Sequence, residues 1–220
     1  MNSVISRLNP IYRKIREQAK PFLRTRKNVI HTQIALRYAL RLLKEERGDD
    51  KIVIPGVLLH DVGWKMIPEP LQLTAFGPNP SNPKLTRLHE REGARIAKSI
   101  LEKLHYPSQK IEEICQIIKG HDSRKKPISW NDRIVKDADK LWRYSRKGMA
   151  IDLDRFHIPR RDYLIFLEAS IEHWFLTSTG IRLAKKEILL RKKDTPSETR
   201  NITTKAGTLW GRPQSPRRSR

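Results

Sequence analysis

Apolar residues recur at three- and four-residue intervals along most of the chain, the spacing of an α-helix that faces a core. Residues 29–46 show this clearly, with Ile30, Ile34 and Leu40 on one face. No stretch alternates polar and apolar residues as a half-buried strand does, so we expect an all-α fold. The same spacing predicts further helices over 55–63 (with Pro55 in its first turn), 87–104, 108–119, 131–146 and 160–192.

Polar stretches separate these helices. Residues 66–86 contain five prolines and predict a long loop, of the kind that often covers a functional site. Residues 123–130 predict a second loop. Packing residues become rare after residue 193, so we expect a disordered basic tail. The predicted organisation is a helical, basic extension over 1–27, one domain over 28–193, and the tail over 194–220.

The charge is strongly unbalanced, with 46 basic and 24 acidic residues and a formal net charge of +22. This excess suits polyanionic partners such as nucleotides or nucleic acid, but a solvated basic surface explains it equally well. The one cysteine, Cys115, excludes an intrachain disulfide and a thiolate metal cluster. No apolar run has the length of a membrane span or a signal peptide. We expect a cytoplasmic location.

Histidine and aspartate residues mark the candidate chemistry. Each of them alone can be a hydrogen-bonded helix end, but together they suit divalent ions such as manganese, iron, cobalt or zinc. The pair His60-Asp61 interrupts an otherwise apolar turn, where buried polar groups need a partner that an ion can supply. Five segments place these side chains at helix ends or beside loops: His31, His60-Asp61, His89, His121-Asp122, and Asp137 with Asp139.

The order of these segments resembles the HD superfamily of metal-dependent phosphohydrolases. Val-Leu-Leu-His-Asp-Val-Gly at 57–63 is similar to the Leu-Leu-His-Asp-Ile-Gly motif of that family. His89 followed by Gly93 is similar to its His-x-x-x-Gly helix start, and Tyr106-Pro107 before His121 resembles its next helix. Ala-Asp-Lys-Leu at 138–141 looks like the segment that holds the last ligand. The resemblance covers roughly residues 28–190 and implies a single HD-type helical bundle.

The resemblance also implies roles for individual residues. Asp137 competes with Asp139 for the fourth ligand position, because residues two apart lie on nearly opposite faces of a helix. The family pattern favours Asp139. His89 and His121 occupy positions that some members use for a second ion and others for phosphate. The predicted metal ligands are His31, His60, Asp61 and Asp139, the predicted catalytic residues are Asp61, His89 and His121, and the candidate phosphate ligands are Lys65, Arg124, Lys125 and Lys140.

The predicted function is hydrolysis of a phosphate ester or anhydride, of a nucleotide, with one or two ions of manganese, iron, cobalt, nickel or magnesium. Trp64 stands where many two-metal relatives have lysine, and the Gly-Tyr-Pro signature of the cyclic-dinucleotide branch is missing. Trp64 and Phe76 either stack on a base or anchor the loop. The alternatives are a nuclease and a non-catalytic basic module that binds nucleic acid. The filled set of ligand positions favours an enzyme.

Overall fold

The computed structural model describes residues 8–76 and 81–194. Within these ranges the chain forms ten α-helices, one 3₁₀ helix and no strand, which confirms the all-α prediction. Residues 195–220 of the predicted tail lie outside the described residues. The helices are α1 (Pro10–Leu23), α2 (Asn28–Leu42), α3 (Asp50–Leu59), η1 (Val62–Met66), α4 (Glu69–Gln72), α5 (Lys84–Lys103), α6 (Ser108–Ile118), α7 (Trp130–Tyr144), α8 (Arg146–Phe156), α9 (Arg160–Trp174) and α10 (Ser178–Lys193).

Polar side chains that cap the start of a helix set boundaries that the spacing of apolar residues does not show. The pattern over 160–192 is two helices, α9 and α10, because the Thr177 hydroxyl accepts the Gly180 N–H at 2.9 Å and begins α10. In the same way the Ser145 hydroxyl accepts the Gly148 N–H at 3.0 Å and separates α8 from α7. Such side chains offer the backbone a partner outside the helix ladder. The apolar spacing therefore missed the break at Thr177. The helix predicted over 131–146 does end at Tyr144, but α8, which follows Ser145, was not predicted.

Helix α3 is longer than the sequence pattern predicted. It begins at Asp50, where the Asp49 carboxylate accepts the Lys51 N–H at 2.8 Å, so Pro55 lies inside the helix rather than in its first turn. A proline inside a helix has no N–H for the carbonyl four residues earlier. Here the Tyr106 hydroxyl donates to that carbonyl, on Lys51, at 2.7 Å. A side chain from the α5–α6 connection thus allows α3 to continue through its proline.

The predicted loop over 66–86 is partly helical, since it contains α4 and the start of α5. Its residues 77–80 lie outside the described part. The buried Gln72 amide ties this segment to the fold, because it donates to the carbonyls of Trp64 and Ile67 at 2.9 and 2.8 Å. The same amide donates to the Thr25 hydroxyl at 3.1 Å. These hydrogen bonds hold the segment around α4 against η1.

Helix α3 forms the centre of the core and packs against α1, α2, α6 and α7. Helix α1 buries Tyr12, Ile15, Ala19 and Leu23, so residues of the predicted extension help to build the core. Helix α5 packs against η1 and α6, and α7 packs against α2, α8 and α10. Among the described residues, no helix has both the length and the apolar character needed to cross a bilayer. The packing brings the end of α3 close to α2, α5 and α7.

Gly63 gives a test of this packing. A Cβ atom there would lie 1.9 Å from the His89 carbonyl oxygen and 2.5 Å from the Gly93 nitrogen, both backbone atoms of α5. Because neither backbone atom can move cheaply, we expect Gly63→Ala to lower the free energy of unfolding by about 3 kcal/mol or more. Urea unfolding followed by circular dichroism measures this loss.

Gly56→Ala is the matched control. The added Cβ would meet a terminal methyl of Val135 at 3.1 Å, and that side chain can adjust. The helix gains from replacing glycine, so we expect the free energy of unfolding to stay within about 1 kcal/mol of the original. Equal losses in the two variants would contradict the close backbone contact described for Gly63.

Candidate metal centre

Five elements bring ligand-type side chains to one point. Two of the groups follow the C-terminal ends of helices, α3 and α6, and the others lie within α2, α5 and α7. Six of the seven side chains are buried or nearly so, and the seventh, Asp122, is 38% exposed. The converging residues are His31, His60, Asp61, His89, His121, Asp122 and Asp139.

The first half of the cluster contains His31, His60 and Asp139. The two Nε2 atoms of the histidines lie 2.8 Å apart. Asp139 Oδ1 lies 3.1 Å from His31 Nε2 and 3.4 Å from His60 Nε2. Asp61 Oδ2 completes the group, at 3.6 and 3.7 Å from the same two nitrogens. Four ligand atoms, from α2, from the end of α3 and from α7, thus surround one small volume.

The second half contains His89, His121 and Asp122. The Nε2 atoms of these histidines lie 3.4 Å apart, and Asp122 Oδ2 is 3.5 and 3.6 Å from them. Asp61 faces this half with its other oxygen, because Oδ1 lies 4.0 Å from His89 Nε2 and 3.7 Å from His121 Nε2. The Asp61 carboxylate therefore presents one oxygen to each histidine pair.

The ring orientations suit metal binding. His60 Nδ1 lies 2.8 Å from the Val57 carbonyl oxygen, and His121 Nδ1 lies 2.8 Å from the Ile118 carbonyl oxygen. A carbonyl oxygen only accepts, so each Nδ1 carries a proton and donates it. When the ring is neutral, Nε2 then keeps its lone pair and faces the cluster. A backbone partner for the second ring nitrogen is the usual arrangement of a metal-binding histidine.

The separations of the histidine nitrogens fit one ion in each half. Ligand atoms bonded at about 2.1 Å, at angles between a right angle and the tetrahedral value, lie roughly 3.0 to 3.4 Å apart. The nitrogen–nitrogen separations of 2.8 and 3.4 Å are close to this range. The sets His31-His60-Asp61 and Asp61-His89-His121 could each hold an ion. Mixed imidazole and carboxylate ligands suit first-row divalent ions.

Electrostatics inside the cluster favour cations. Burial alone would raise the pKa of Asp61, but the neighbouring His60 and His31 hold it well below its usual value. Burial alone would lower the pKa of His121, but Asp122 and Asp61 raise it to about 10. Burial and the nearby His121 lower the pKa of His89 to about 4. Asp61 is thus ionised at neutral pH, and an ion that binds His121 must displace a proton.

Trp64 supports both halves of the cluster from inside the protein. Its indole N–H donates to Asp61 Oδ1 at 3.0 Å. Its ring stacks on His89, with centroids 3.9 Å apart and planes 13° from parallel. The side chain is only 2% exposed. This residue anchors the site, in agreement with the anchoring alternative and not with stacking on a substrate base.

The turn that carries His121 and Asp122 is fixed by two charged residues. The Glu90 carboxylate, on α5, accepts the backbone N–H of Asp122 at 2.9 Å and that of Ser123 at 2.8 Å. The Lys136 ammonium, on α7, donates to the carbonyl of His121 at 3.1 Å. Opposite charges thus satisfy the N–H groups on one side of the turn and the carbonyls on the other.

Asp137 and Asp139 take different positions, as their spacing on α7 requires. Asp137 points away from the histidines and accepts the backbone N–H groups of Leu176 and Thr177 at 2.8 and 2.9 Å. It also accepts the Thr177 hydroxyl at 2.7 Å. Asp137 therefore fixes the connection between α9 and α10, while Asp139 lies at the cluster.

The candidate phosphate ligands separate in the same way. Lys140 lines a cavity together with Asp122 and Asp139. Lys65 is exposed and lies outside the two cavities that adjoin the cluster, and so does the exposed Lys125. The Arg124 guanidinium donates to the Gln116 carbonyl at 3.1 Å and to Asp132 at 3.0 Å, so it serves the end of α6.

Three arginines that the sequence interpretation missed line the adjoining cavity: Arg26, Arg143 and Arg155. Arg143 had a local signal, because it follows Asp139 by four positions and so shares its face of α7. Arg26 and Arg155 had none among 46 basic residues. They approach each other only in the folded chain, where the Arg155 guanidinium donates to the Arg26 carbonyl at 3.1 Å.

Comparison with known proteins adds the family. The model of the HD domain matches residues 28–143, which include all seven residues of the cluster. The chain belongs to the HD domain family. Members of this family are in general metal-dependent phosphohydrolases. The match ends with α7 and is shorter than the resemblance over 28–190 suggested. Neither the curated proteins nor the solved structures yield a match.

Alanine substitutions of Asp139 and Asp137 should change different properties, the metal content in the first case and the stability in the second. We expect Asp139→Ala to lower the manganese bound per chain by about one ion and to leave the helical fold intact, because only a cluster ligand is lost. We expect Asp137→Ala to lower the free energy of unfolding by about 3 kcal/mol, since its hydrogen-bond donors lose their acceptor. Metal analysis and urea unfolding on both variants measure this, and the reverse pattern would show that Asp137 is the ligand.

Proposed function

We propose that the protein is a divalent-metal-dependent phosphohydrolase that cleaves a phosphate ester or anhydride of a nucleotide. The observation that carries this proposal is the position of Asp61, whose two carboxylate oxygens face two separate histidine pairs. A shared carboxylate between two ligand sets is suited to two ions a few ångströms apart, as in many enzymes that act on phosphates.

Each residue of the cluster has a proposed role. His31, His60 and Asp139 would hold one ion, His89, His121 and Asp122 would hold the other, and Asp61 would bind both. When bound, such ions activate water as a nucleophile and neutralise charge on phosphate oxygens. The residues of the chain fix the ligand geometry and exclude bulk solvent. The mixture of imidazole and carboxylate ligands supports manganese, iron, cobalt or nickel.

Asp122 and Asp139 connect the cluster to the space where a substrate would lie. Two cavities of about 250 Å³ each adjoin the cluster, and both are lined by Asp122, Asp139 and Arg143. One of them has Lys140 and aromatic walls, formed by Phe156, Tyr163, Phe166 and Trp174. Aromatic side chains beside a charged floor suit a molecule with a flat ring at one end and phosphate at the other. The aromatic side chains therefore favour a nucleotide as the substrate.

The net charge of +22 supports a second candidate, the cleavage of phosphodiester bonds in nucleic acid. The same cluster could serve this reaction, because the attacked atom is phosphorus in both cases. The candidates differ in what must fit beside the cluster. An oligonucleotide needs an open path for the chain on both sides of the attacked phosphate, whereas a nucleotide needs only the aromatic cavity.

A substrate panel with the Asp61→Asn variant tests the proposal. We expect the manganese-loaded protein to release phosphate or pyrophosphate from nucleoside mono-, di- or triphosphates faster than it degrades single-stranded oligonucleotides. Asparagine offers one oxygen in place of two, so Asp61→Asn should lower turnover by several orders of magnitude. Phosphate release and chromatography of the products provide the readout.

Asp154→Asn is the matched control, because the Asp154 side chain is 76% exposed and lies outside the cluster. It should retain full turnover. A wild-type protein that binds manganese but hydrolyses no member of the panel would refute the proposal. Faster cleavage of oligonucleotides than of nucleotides would establish the second candidate instead.

A further inference from the structure

Three arginines lie beside the histidine–aspartate cluster, and the proposed reaction assigns them no role. Arg26, Arg143 and Arg155 line one cavity. The carboxylates that line the same cavity are Asp61, Asp122 and Asp139, all of them members of the cluster. Ions bound in the cluster would take these carboxylates as ligands, so the carboxylates could no longer neutralise the charge of the arginines.

A single buried carboxylate holds two of the arginines in place. Asp152 is fully buried and accepts from the Arg143 guanidinium at 2.6 Å and from the Arg155 guanidinium at 3.3 Å. It also accepts the Tyr163 hydroxyl at 2.6 Å. Burial alone would lower the pKa of Arg143, but Asp152 holds it above its ordinary value. One negative charge thus positions two positive ones.

Arg26 has the fewest partners of the three. Its side chain is 10% exposed, and its guanidinium lies over the rings of Trp64 and Phe76, at 4.3 and 4.0 Å from their centroids. Among the described residues, Nε and Nη1 have no hydrogen-bond partner. Nη2 lies 3.3 Å from Asn28 Oδ1 and 4.0 Å from Asp61 Oδ2. The guanidinium of an arginine stays charged at neutral pH.

The backbone holds Arg26 in this position against its own preference. Arg26 and Lys27 have φ values of 46° and 62°, in the left-handed region that residues other than glycine rarely occupy. The Arg26 N–H donates to Glu69 at 3.1 Å, and its carbonyl accepts from Arg155 at 3.1 Å. Backbone strain that is fixed from both sides is typical of functional positions.

We propose that Arg26, Arg143 and Arg155 form a binding site for a second phosphate group of the substrate, next to the phosphate that is attacked at the metal cluster. Two divalent ions can neutralise the attacked group. The three guanidiniums, with one paired carboxylate, leave an excess of two positive charges. Guanidinium forks match phosphate oxygens. The substrate class is therefore a compound with at least two linked phosphates, such as a nucleoside diphosphate or triphosphate.

Binding of two phosphonates to the manganese-loaded protein tests this proposal. Methylenediphosphonate has two linked phosphorus groups and a P–C–P bridge that water does not cleave, and methylphosphonate has one such group. Arg26→Met keeps an apolar chain between Trp64 and Phe76 but removes the charge. We expect this substitution to weaken the binding of methylenediphosphonate roughly tenfold to a hundredfold, measured by calorimetry. The binding of methylphosphonate should weaken less than about threefold. The metal content is measured before and after each titration, in excess free manganese.

Two further variants make the outcome decisive. Arg95→Ala removes an arginine whose side chain is 64% exposed and distant from the cavity, so it should change neither affinity. Arg155→Lys keeps the charge but loses the fork, and it replaces Arg26→Met in the comparison if that variant fails to fold or to bind manganese. Equal weakening of both phosphonates, or no weakening of either, would overturn the second-phosphate site.

The proposal rests on the proposed phosphohydrolase function only for its substrate class. Because the titration needs no turnover, the two can fail separately. If Arg26→Met selectively weakens the binding of methylenediphosphonate but the wild-type protein hydrolyses no substrate, the result would support the second-phosphate site and refute the proposed enzymatic function. Hydrolysis in a protein whose two phosphonate affinities are insensitive to Arg26 would do the opposite.

Discussion

The Asp61 carboxylate is the interaction on which the rest of the site depends. A buried carboxylate is costly unless polar or charged partners compensate it, and here four histidine rings surround Asp61, two facing each oxygen. Because the group lies between two histidine pairs, four helical elements have to bring their histidine side chains within 3.6 to 4.0 Å of one carboxylate. The contact of Gly63 with the α5 backbone is one consequence, since a side chain there would push α5 and His89 away from Asp61.

The protein builds its two half-sites with one local device. In each case a histidine follows the last turn of a helix, and its Nδ1 atom donates to the carbonyl three residues earlier, on Val57 or on Ile118. An aspartate comes next. The negative end of each helix dipole, on α3 and on α6, then faces the same region and favours cations there. The two aspartates differ in exposure, 6% for Asp61 and 38% for Asp122. Asp61 lies between the two histidine pairs, whereas Asp122 is the more exposed and lines both adjoining cavities.

Local patterns predicted the features that depend on neighbours in sequence. The His-Asp pairs and the Ala-Asp-Lys-Leu segment identified side chains that the fold brings together, because each lies on a short piece of helix with a recognisable apolar face. Thr177 shows where this reasoning ended, since its cap interrupts the helix predicted over 160–192 without changing the apolar period. Arg26 and Arg155 show a second limit. They are 129 positions apart, and only tertiary packing places one guanidinium on the carbonyl of the other.

The histidine–aspartate cluster and the aromatic wall beside Lys140 belong to different parts of the chain. All seven cluster residues lie within the segment that matches the HD domain, whereas Asp152, Arg155 and this aromatic wall lie on α8 and α9, beyond it. Arg143 connects the two parts, because it stands on α7 one turn after Asp139 and binds Asp152 on α8. A change in α8 that moves Asp152 would move Arg143 and Arg155 together, so this single buried carboxylate couples the geometry of α8 to that of α7 and hence to Asp139.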